Sequence, residues 1–268
     1  MRYDLKNKTV IVTGASSGIG AELSRRLICD YGCTVYGIAR RVELLEKMRD
    51  TLGEKFIVTP LDVSKKENWL SLARTLESEG VVIDTLISCA GILPKFASVE
   101  NSSSDEVIYA LEVNFYSQVY ATEALLPIIK KSTQGAIISF SSSSALCTFA
   151  GVSAYCASKS ASRAYFECMA RENKSLYVAT VMNGFVKTDI MKNQNASEKD
   201  ARLFMKVCAD LDKTVKKILR KIKRAKTRIV VGIDAHLMSF FYRLFPNLTP
   251  KIISKILKKT KLEIFKDI

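Results

Sequence analysis

The sequence has little of what several chemistries require. Of its 268 residues only one, His236, is a histidine, which argues against a histidine-ligated metal and against a histidine base. Seven cysteines, at 29, 33, 89, 147, 156, 168 and 208, include no Cys-x-x-Cys pair and no metal-ligand spacing. An odd set of this kind suits free thiols in a reducing compartment rather than a disulfide framework. No metal is expected. No apolar run approaches the roughly eighteen residues of a membrane span, and the opening MRYDLKNKTVIVTG runs from charges straight into an apolar strand, leaving no room for a secretory leader. The expectation is a soluble, cytoplasmic protein.

What is present is a chain 48% apolar with a net charge of +14. That length and composition suit one domain with a substantial core. The charge is uneven: residues 206–268 hold seventeen Lys/Arg against five acids, which is +12 of the total.

Short β-branched runs alternate with segments of helical period. Strands are predicted at 8–13, 33–38, 56–59, 82–87, 136–140, 176–182 and 228–231. Between strands, Ile19, Leu23 and Leu27, and then Val215, Ile218, Leu219 and Ile222, recur at helical spacing. The pattern predicts an α/β fold, a doubly wound and mostly parallel Rossmann-type sheet. It is read as a single domain over 1–235 with a basic amphipathic helical extension over 236–268. Ligands of such sheets bind beyond the carboxyl ends of the strands, so the informative residues are those that follow strands.

Gly14-Ala15-Ser16-Ser17-Gly18-Ile19-Gly20 follows the first strand and opens a helix. Glycines there let the backbone approach a pyrophosphate, while the helix N-terminus offers free N–H groups and a positive dipole end. The second strand runs out at Ala39-Arg40-Arg41. An acid at this place bonds a ribose 2′-hydroxyl and an arginine accommodates a 2′-phosphate, so the pair favours NADP(H) over NAD(H), against the alternative of two solvated arginines at a helix start. Asp62, with Val63 after it, either bonds the adenine or caps the next helix. Tyr155 and Lys159 stand four apart on a helical segment, a spacing that brings ammonium and phenol together. A nearby cation favours the phenolate and makes the phenol usable near neutral pH. Ser142 precedes Tyr155 by thirteen residues, just after an apolar strand, and Asn114 is an amide in an otherwise apolar helical segment.

On these segments, from the first strand to about Asp234, the chain resembles the short-chain dehydrogenase/reductase family. The resemblance implies transfer of a hydride between a nicotinamide and a carbonyl or carbinol carbon. It implies that Tyr155 transfers the proton, that Lys159 lowers its pKa and holds the nicotinamide ribose, that Ser142 bonds the substrate oxygen, and that Asn114 anchors a water in a proton relay. Thr188, with Val186 beside it, matches the position that bonds the carboxamide, and Ala90-Gly91 completes the cofactor set. Two motifs depart from the family pattern. Asn-Asn-Ala-Gly is here Ser88-Cys89-Ala90-Gly91, with a hydroxyl for the amide that braces the sheet. Pro-Gly is here Asn183-Gly184, and losing the proline is expected to loosen that loop. Relatives associate as dimers or tetramers through the helices near 106–130 and 154–172, so a homodimer or homotetramer is implied.

Leu93, Phe96, Leu146, Phe149, Phe185, Met191, Phe204 and Met205 suggest an apolar pocket, some of them serving only as core. The expected substrate is a hydrophobic ketone or alcohol such as a hydroxysteroid or bile acid, a retinoid or a long-chain 3-oxoacyl compound, lining up on Ser142, Leu146, Phe149, Tyr155, Phe185 and Met191. A nucleotide-binding sensor or scaffold without turnover is the competing reading. In the tail, Ile252, Ile253, Ile256 and Leu257 lie among Lys251, Lys255, Lys258 and Lys259. Such a segment suits peripheral contact with an anionic membrane, closure of a pocket, or a subunit contact. Nucleic acid is not expected as a partner, since no groove-reading motif accompanies the charge.

Overall fold

The computed structural model describes residues 2–188, 190, 194, 200, 202, 205, 206, 208–259 and 265. Seven strands form one parallel sheet: β1 Thr9–Thr13, β2 Thr34–Ala39, β3 Phe56–Pro60, β4 Thr85–Ser88, β5 Ala136–Phe140, β6 Tyr177–Asn183 and β7 Arg228–Val231. Their order across the sheet is β3-β2-β1-β4-β5-β6-β7. The strand order reverses between β1 and β4, and a crevice opens there at the carboxyl ends. The predicted α/β class and doubly wound sheet are as observed.

Helices α1 (Gly18–Tyr31), α2 (Val42–Leu52), α3 (Lys66–Ser78), α4 (Ser104–Leu111), α5 (Ser117–Ile129) and α6 (Ser153–Glu172) connect the first six strands. After β6 come α7 (Leu211–Lys223), then β7, α8 (Ile233–Leu244) and α9 (Thr249–Lys259). The period of two along β1 sends Val10 and Val12 to one face, where they meet Leu23 and Leu27 of α1 and Val215, Ile218, Leu219 and Ile222 of α7. Ile11 points to the other face and joins Trp69, Leu125 and Phe166. Each fully buried side chain of this size contributes about 1.5–3 kcal/mol. On the first face, the buried Arg26 of α1 pairs with Glu22, Asp30 and Asp212, the last reaching over from α7.

Most strand boundaries fall within one residue of expectation, and one differs by more. The fourth strand begins at Thr85 rather than 82, because Asp84 accepts from Thr9 N at 2.9 Å and from Ser132 Oγ at 2.5 Å. Its carboxylate closes the end of the sheet where the hydrophobic run had suggested a longer strand.

Candidate active site

The crevice at the reversal point is a cleft of about 430 Å³. Gly14, Ser16, Ser17, Gly18, Ile19 and Gly20 form its floor, Arg40, Arg41, Asp62 and Val63 one wall, and Ala90, Gly91 and Thr188 the other. Gly14 has φ +70°, and a Cβ there would lie 3.0 Å from the Ala90 Cα, while at Gly20 a Cβ would run into the carbonyl of Gly14. The loop is therefore bare backbone by necessity. The first turn of α1 carries no acid and no side chain caps it, so its N–H groups face the cleft with the positive end of the helix dipole.

Arg41 reaches across this loop, donating to Ser16 Oγ at 2.9 Å and Ser17 Oγ at 3.0 Å, while Arg40 donates to the Tyr109 hydroxyl at 3.4 Å. Asp62 accepts from Ser64 N and Ser64 Oγ at 3.0 and 2.8 Å. Burial alone would raise its pKa, but the Ser64 bonds and the neighbouring Arg40 and Lys65 hold it below the usual carboxylate range. The carboxylate thus serves the turn before α3 and also lines the cleft.

Asn114 lies in a π-helical turn, Glu112–Tyr116, between α4 and α5, a distortion common at functional sites. Its side chain accepts from Ile92 N at 2.8 Å and donates to Ile92 O at 2.9 Å and Ser158 Oγ at 3.0 Å. Lys159 is buried on α6 and donates to the Phe140 carbonyl at the end of β5 at 3.0 Å, with Nζ 5.8 Å from the centre of the Tyr155 ring. A Cβ on Gly91 would stand 3.0 Å from Asn114 Oδ1 and 3.2 Å from Lys159 Nζ. That single glycine joins the cleft to the polar cluster. Ser142 accepts from Ser144 N at 3.2 Å, and its hydroxyl acts to lower the pKa of the nearby Tyr155 phenol.

The ionisation of the pair differs from the expectation of an acidified phenol. Burial pushes Tyr155 up to about 12, with the Ser142 bond pulling the other way. Burial also brings Lys159 down to about 8. Removal from water dominates, so the neutral phenol is the resting form.

Several supporting groups carry no sequence motif. Gln118 donates to the Asn114 carbonyl at 2.6 Å and accepts from Ser139 Oγ at 2.7 Å; Ser162 Oγ donates to the same Asn114 carbonyl at 3.0 Å and Ser141 Oγ to the Lys159 carbonyl at 2.7 Å. The brace expected of an asparagine at 88 comes from Thr13, whose Oγ1 accepts from Cys89 N at 3.0 Å and Ala90 N at 2.9 Å, while Ser88 Oγ is buried without a hydrogen-bond partner among the described residues. The loop that lacks its proline is tied instead by Asn183 Nδ2, bonded to Gly184 O at 2.9 Å, and by Asp234, which accepts from Phe185 N at 2.7 Å. Val186, next in that loop, forms a bridge with Ala209, and Thr188 packs beside Gly18.

Tyr155, Phe149 and Phe185 share an apolar cluster with Leu93, Phe96, Val152, Cys156 and Cys208. Leu146 is buried but outside that cluster, and Met191 and Phe204 lie outside the described residues. The tail packs here, closure of a pocket being one of the roles its sequence left open: Leu257 joins the cluster, and Phe265, which no motif marked, meets Phe96 edge-on with ring centres 4.9 Å apart. Gln194 pins the facing loop, accepting from Phe96 N at 2.9 Å and donating to Pro94 O at 2.9 Å.

Residues 8–199 match the family model for short chain dehydrogenases. The chain is 29% identical over 263 residues to a dehydrogenase/reductase SDR family protein 7-like of Drosophila melanogaster, covering 92% of this chain and 79% of that one. It is 31% identical over 198 residues to 11-beta-hydroxysteroid dehydrogenase 1A of Arabidopsis thaliana, covering 71% of this chain and 56% of that one. Among solved structures, a short chain dehydrogenase/reductase from Burkholderia phymatum in complex with NAD superposes with a TM-score of 0.82 at 17% identity, over 92% of this chain and 96% of that one. A short chain dehydrogenase from Burkholderia cenocepacia in complex with NADP does so with a TM-score of 0.77 at 21% identity, over 92% and 97%. At these identities the superpositions speak for the fold.

Proposed function

The chain belongs to the short-chain dehydrogenase/reductase family and is an NAD(P)-dependent alcohol dehydrogenase or reductase; on that premise we propose an NADP(H)-preferring enzyme that interconverts a carbonyl and a secondary alcohol on a hydrophobic substrate. The observation that supports the reading is Gly91, which lines the glycine-floored cleft and stands beside Asn114 Oδ1 and Lys159 Nζ, with Tyr155 one turn before Lys159 on α6.

The cleft fits a dinucleotide. Gly14–Gly20 and the first turn of α1 suit its pyrophosphate, Asp62 and Val63 its adenine side, and Ala90, Gly91 and Thr188 its nicotinamide end, with Val186 two residues before Thr188 bridged to Ala209. Arg41, already poised over Ser16 and Ser17, supports the choice of NADP(H), with Arg40 beside it. When bound, the nicotinamide supplies or accepts a hydride. The protein's share is positioning and proton handling. Tyr155, neutral up to about 12, is the proton donor for carbonyl reduction, and the Ser142 hydroxyl orients the same substrate oxygen. Lys159 holds the ribose side of the site, and Asn114 organises the polar cluster behind it.

The cluster of Phe149, Phe185, Phe96 and Phe265 supports an apolar substrate of the hydroxysteroid, bile acid, retinoid or long-chain 3-oxoacyl kind. One relative is a hydroxysteroid dehydrogenase by name, which agrees with that class. We further place the protein in the cytoplasm as a homodimer or homotetramer, treat 236–268 as an extension of the 1–235 domain, and assign that basic extension a peripheral contact with a membrane surface. Among the described residues no helix is long and apolar enough to cross a membrane.

The test is absorbance at 340 nm with NADPH and NADH across a panel of hydroxysteroids, bile acids, retinoids and long-chain ketones, with Tyr155→Phe as control. Turnover of an apolar ketone with NADPH, lost in Tyr155→Phe while cofactor binding persists, bears the proposal out. Turnover confined to small polar sugars would sink the substrate class, and binding without any turnover would favour the sensor or scaffold.

A further inference from the structure

Helix α8 wears its amphipathic pattern inside out. Ile233, Leu237, Phe240, Phe241 and Leu244 fall at i, i+4, i+7, i+8 and i+11, one continuous stripe, and they are 45–80% exposed. The face turned inward carries the smaller Ala235 and the unbranched Met238. An ordinary surface helix does the opposite, and contiguous exposed apolar area of this kind marks a contact surface. Phe245 and Leu248 continue the stripe into the turn, and Ile252 and Ile256 extend it along α9, which packs on α8.

The charge around the stripe selects its partner. Arg243, Lys251, Lys255, Lys258 and Lys259 are exposed beside it, and no acid occurs between Ala235 and Lys259. A second copy meeting this face about a twofold axis would set these cations against their own equivalents. An anionic surface into which apolar side chains sink is the complementary partner.

We infer that the α8–α9 face docks on an anionic lipid surface and turns toward it a cleft that borders the apolar cluster around Tyr155. The inference rests on the hydrophobic-substrate reading above and gives that substrate its route. A cleft of about 660 Å³ lies between Phe149, Cys156 and Ala157 on one side and Pro250, Lys251 and Ser254 of α9 on the other. Phe149 and Cys156 belong to the cluster around Tyr155. Ser254 Oγ accepts from Ala150 N at 3.2 Å, and α8 itself packs on the turn that follows Ser142. The docked face and this cleft share one helix, so an apolar molecule dissolved in the lipid reaches the Phe149 and Cys156 side of the cluster without crossing water.

The experiment is co-sedimentation of the full chain with vesicles of phosphatidylcholine alone and with about one lipid in three replaced by phosphatidylserine. It compares the native protein with a Leu237→Ser, Phe240→Ser, Phe241→Ser variant, whose changes are all on exposed positions. The native chain pellets with the anionic vesicles, and the triple variant partitions at least about tenfold more weakly while keeping NADPH binding and turnover of a water-soluble ketone. Equal pelleting of the two proteins would reduce the effect to diffuse attraction by lysines and overturn the inference. A native chain that stays in the supernatant, or a dimer that the triple variant splits, would overturn it as well. If vesicles bind but no ketone is turned over by either protein, the docking stands and the enzymatic reading fails.

Discussion

Gln118 donates its amide to the main-chain carbonyl of Asn114, one turn earlier in the chain, at 2.6 Å. The contact sits on the π-helical turn that carries Asn114, and the same glutamine takes the Ser139 hydroxyl from β5. A single buried amide thus joins the turn to the central sheet.

Removing that amide leaves buried polar groups unpaired, a cost of about 1–3 kcal/mol. Gln118→Ala should unfold at a lower temperature, and kcat should fall while the dissociation constant for NADPH changes little, because Gln118 lies behind the cleft and not in it. Calorimetry and steady-state kinetics check the two parts, and an unchanged kcat would leave Gln118 a purely structural group.

Lys159 predicts a trade of stability against activity. Its folded pKa, about 8, lies below the ordinary 10.5, so the unfolded chain binds more protons between these values and stability rises with pH across that window. Below about 8 the buried charge is a continuous cost. Lys159→Met should therefore abolish turnover yet raise the unfolding free energy at pH 7 by on the order of 1–3 kcal/mol, less whatever the lost bond to Phe140 contributed. A gain that is the same at pH 7 and pH 10 would contradict the assignment of the burial cost to this lysine.

Tyr155 held neutral up to about 12 implies a direction. Carbonyl reduction, which consumes the phenol proton, should be nearly flat through neutral pH, and alcohol oxidation, which needs the phenolate, should climb as pH rises. Tyr155→Phe should lower turnover by about 10²- to 10⁴-fold. Rate profiles in both directions from pH 6 to 10 would decide it.

Arg41 should govern the choice of cofactor. Arg41→Ala removes the donor poised over Ser16 and Ser17, and loss of a charge-assisted bond to a 2′-phosphate costs about tenfold or more in NADPH affinity while leaving NADH untouched. Equal losses for both cofactors would place Arg41 in loop support instead.

Asp234 substitutes for the missing proline by fixing Phe185 N at 2.7 Å. Asp234→Ala should weaken cofactor binding by up to about tenfold, with Asp234→Asn intermediate because it keeps an acceptor. Fluorescence titration with NADPH reads this directly.

Local chemistry wrote much of this protein into its sequence. The glycine loop, the strand–helix alternation, the pairing of Tyr155 with Lys159 and the apolar stripes of α1 and α7 all depend on residues a few positions apart, and each took the place its spacing implied. Tertiary structure decided the rest. Thr13 bracing Cys89 and Ala90, Asp234 securing Phe185, Gln194 pinning Phe96 and Phe265 closing on Phe96 are contacts between residues far apart in the chain. The neutral state of Tyr155 and the outward stripe of α8 belong with them. Burial decides both, and burial depends on what the rest of the chain brings alongside.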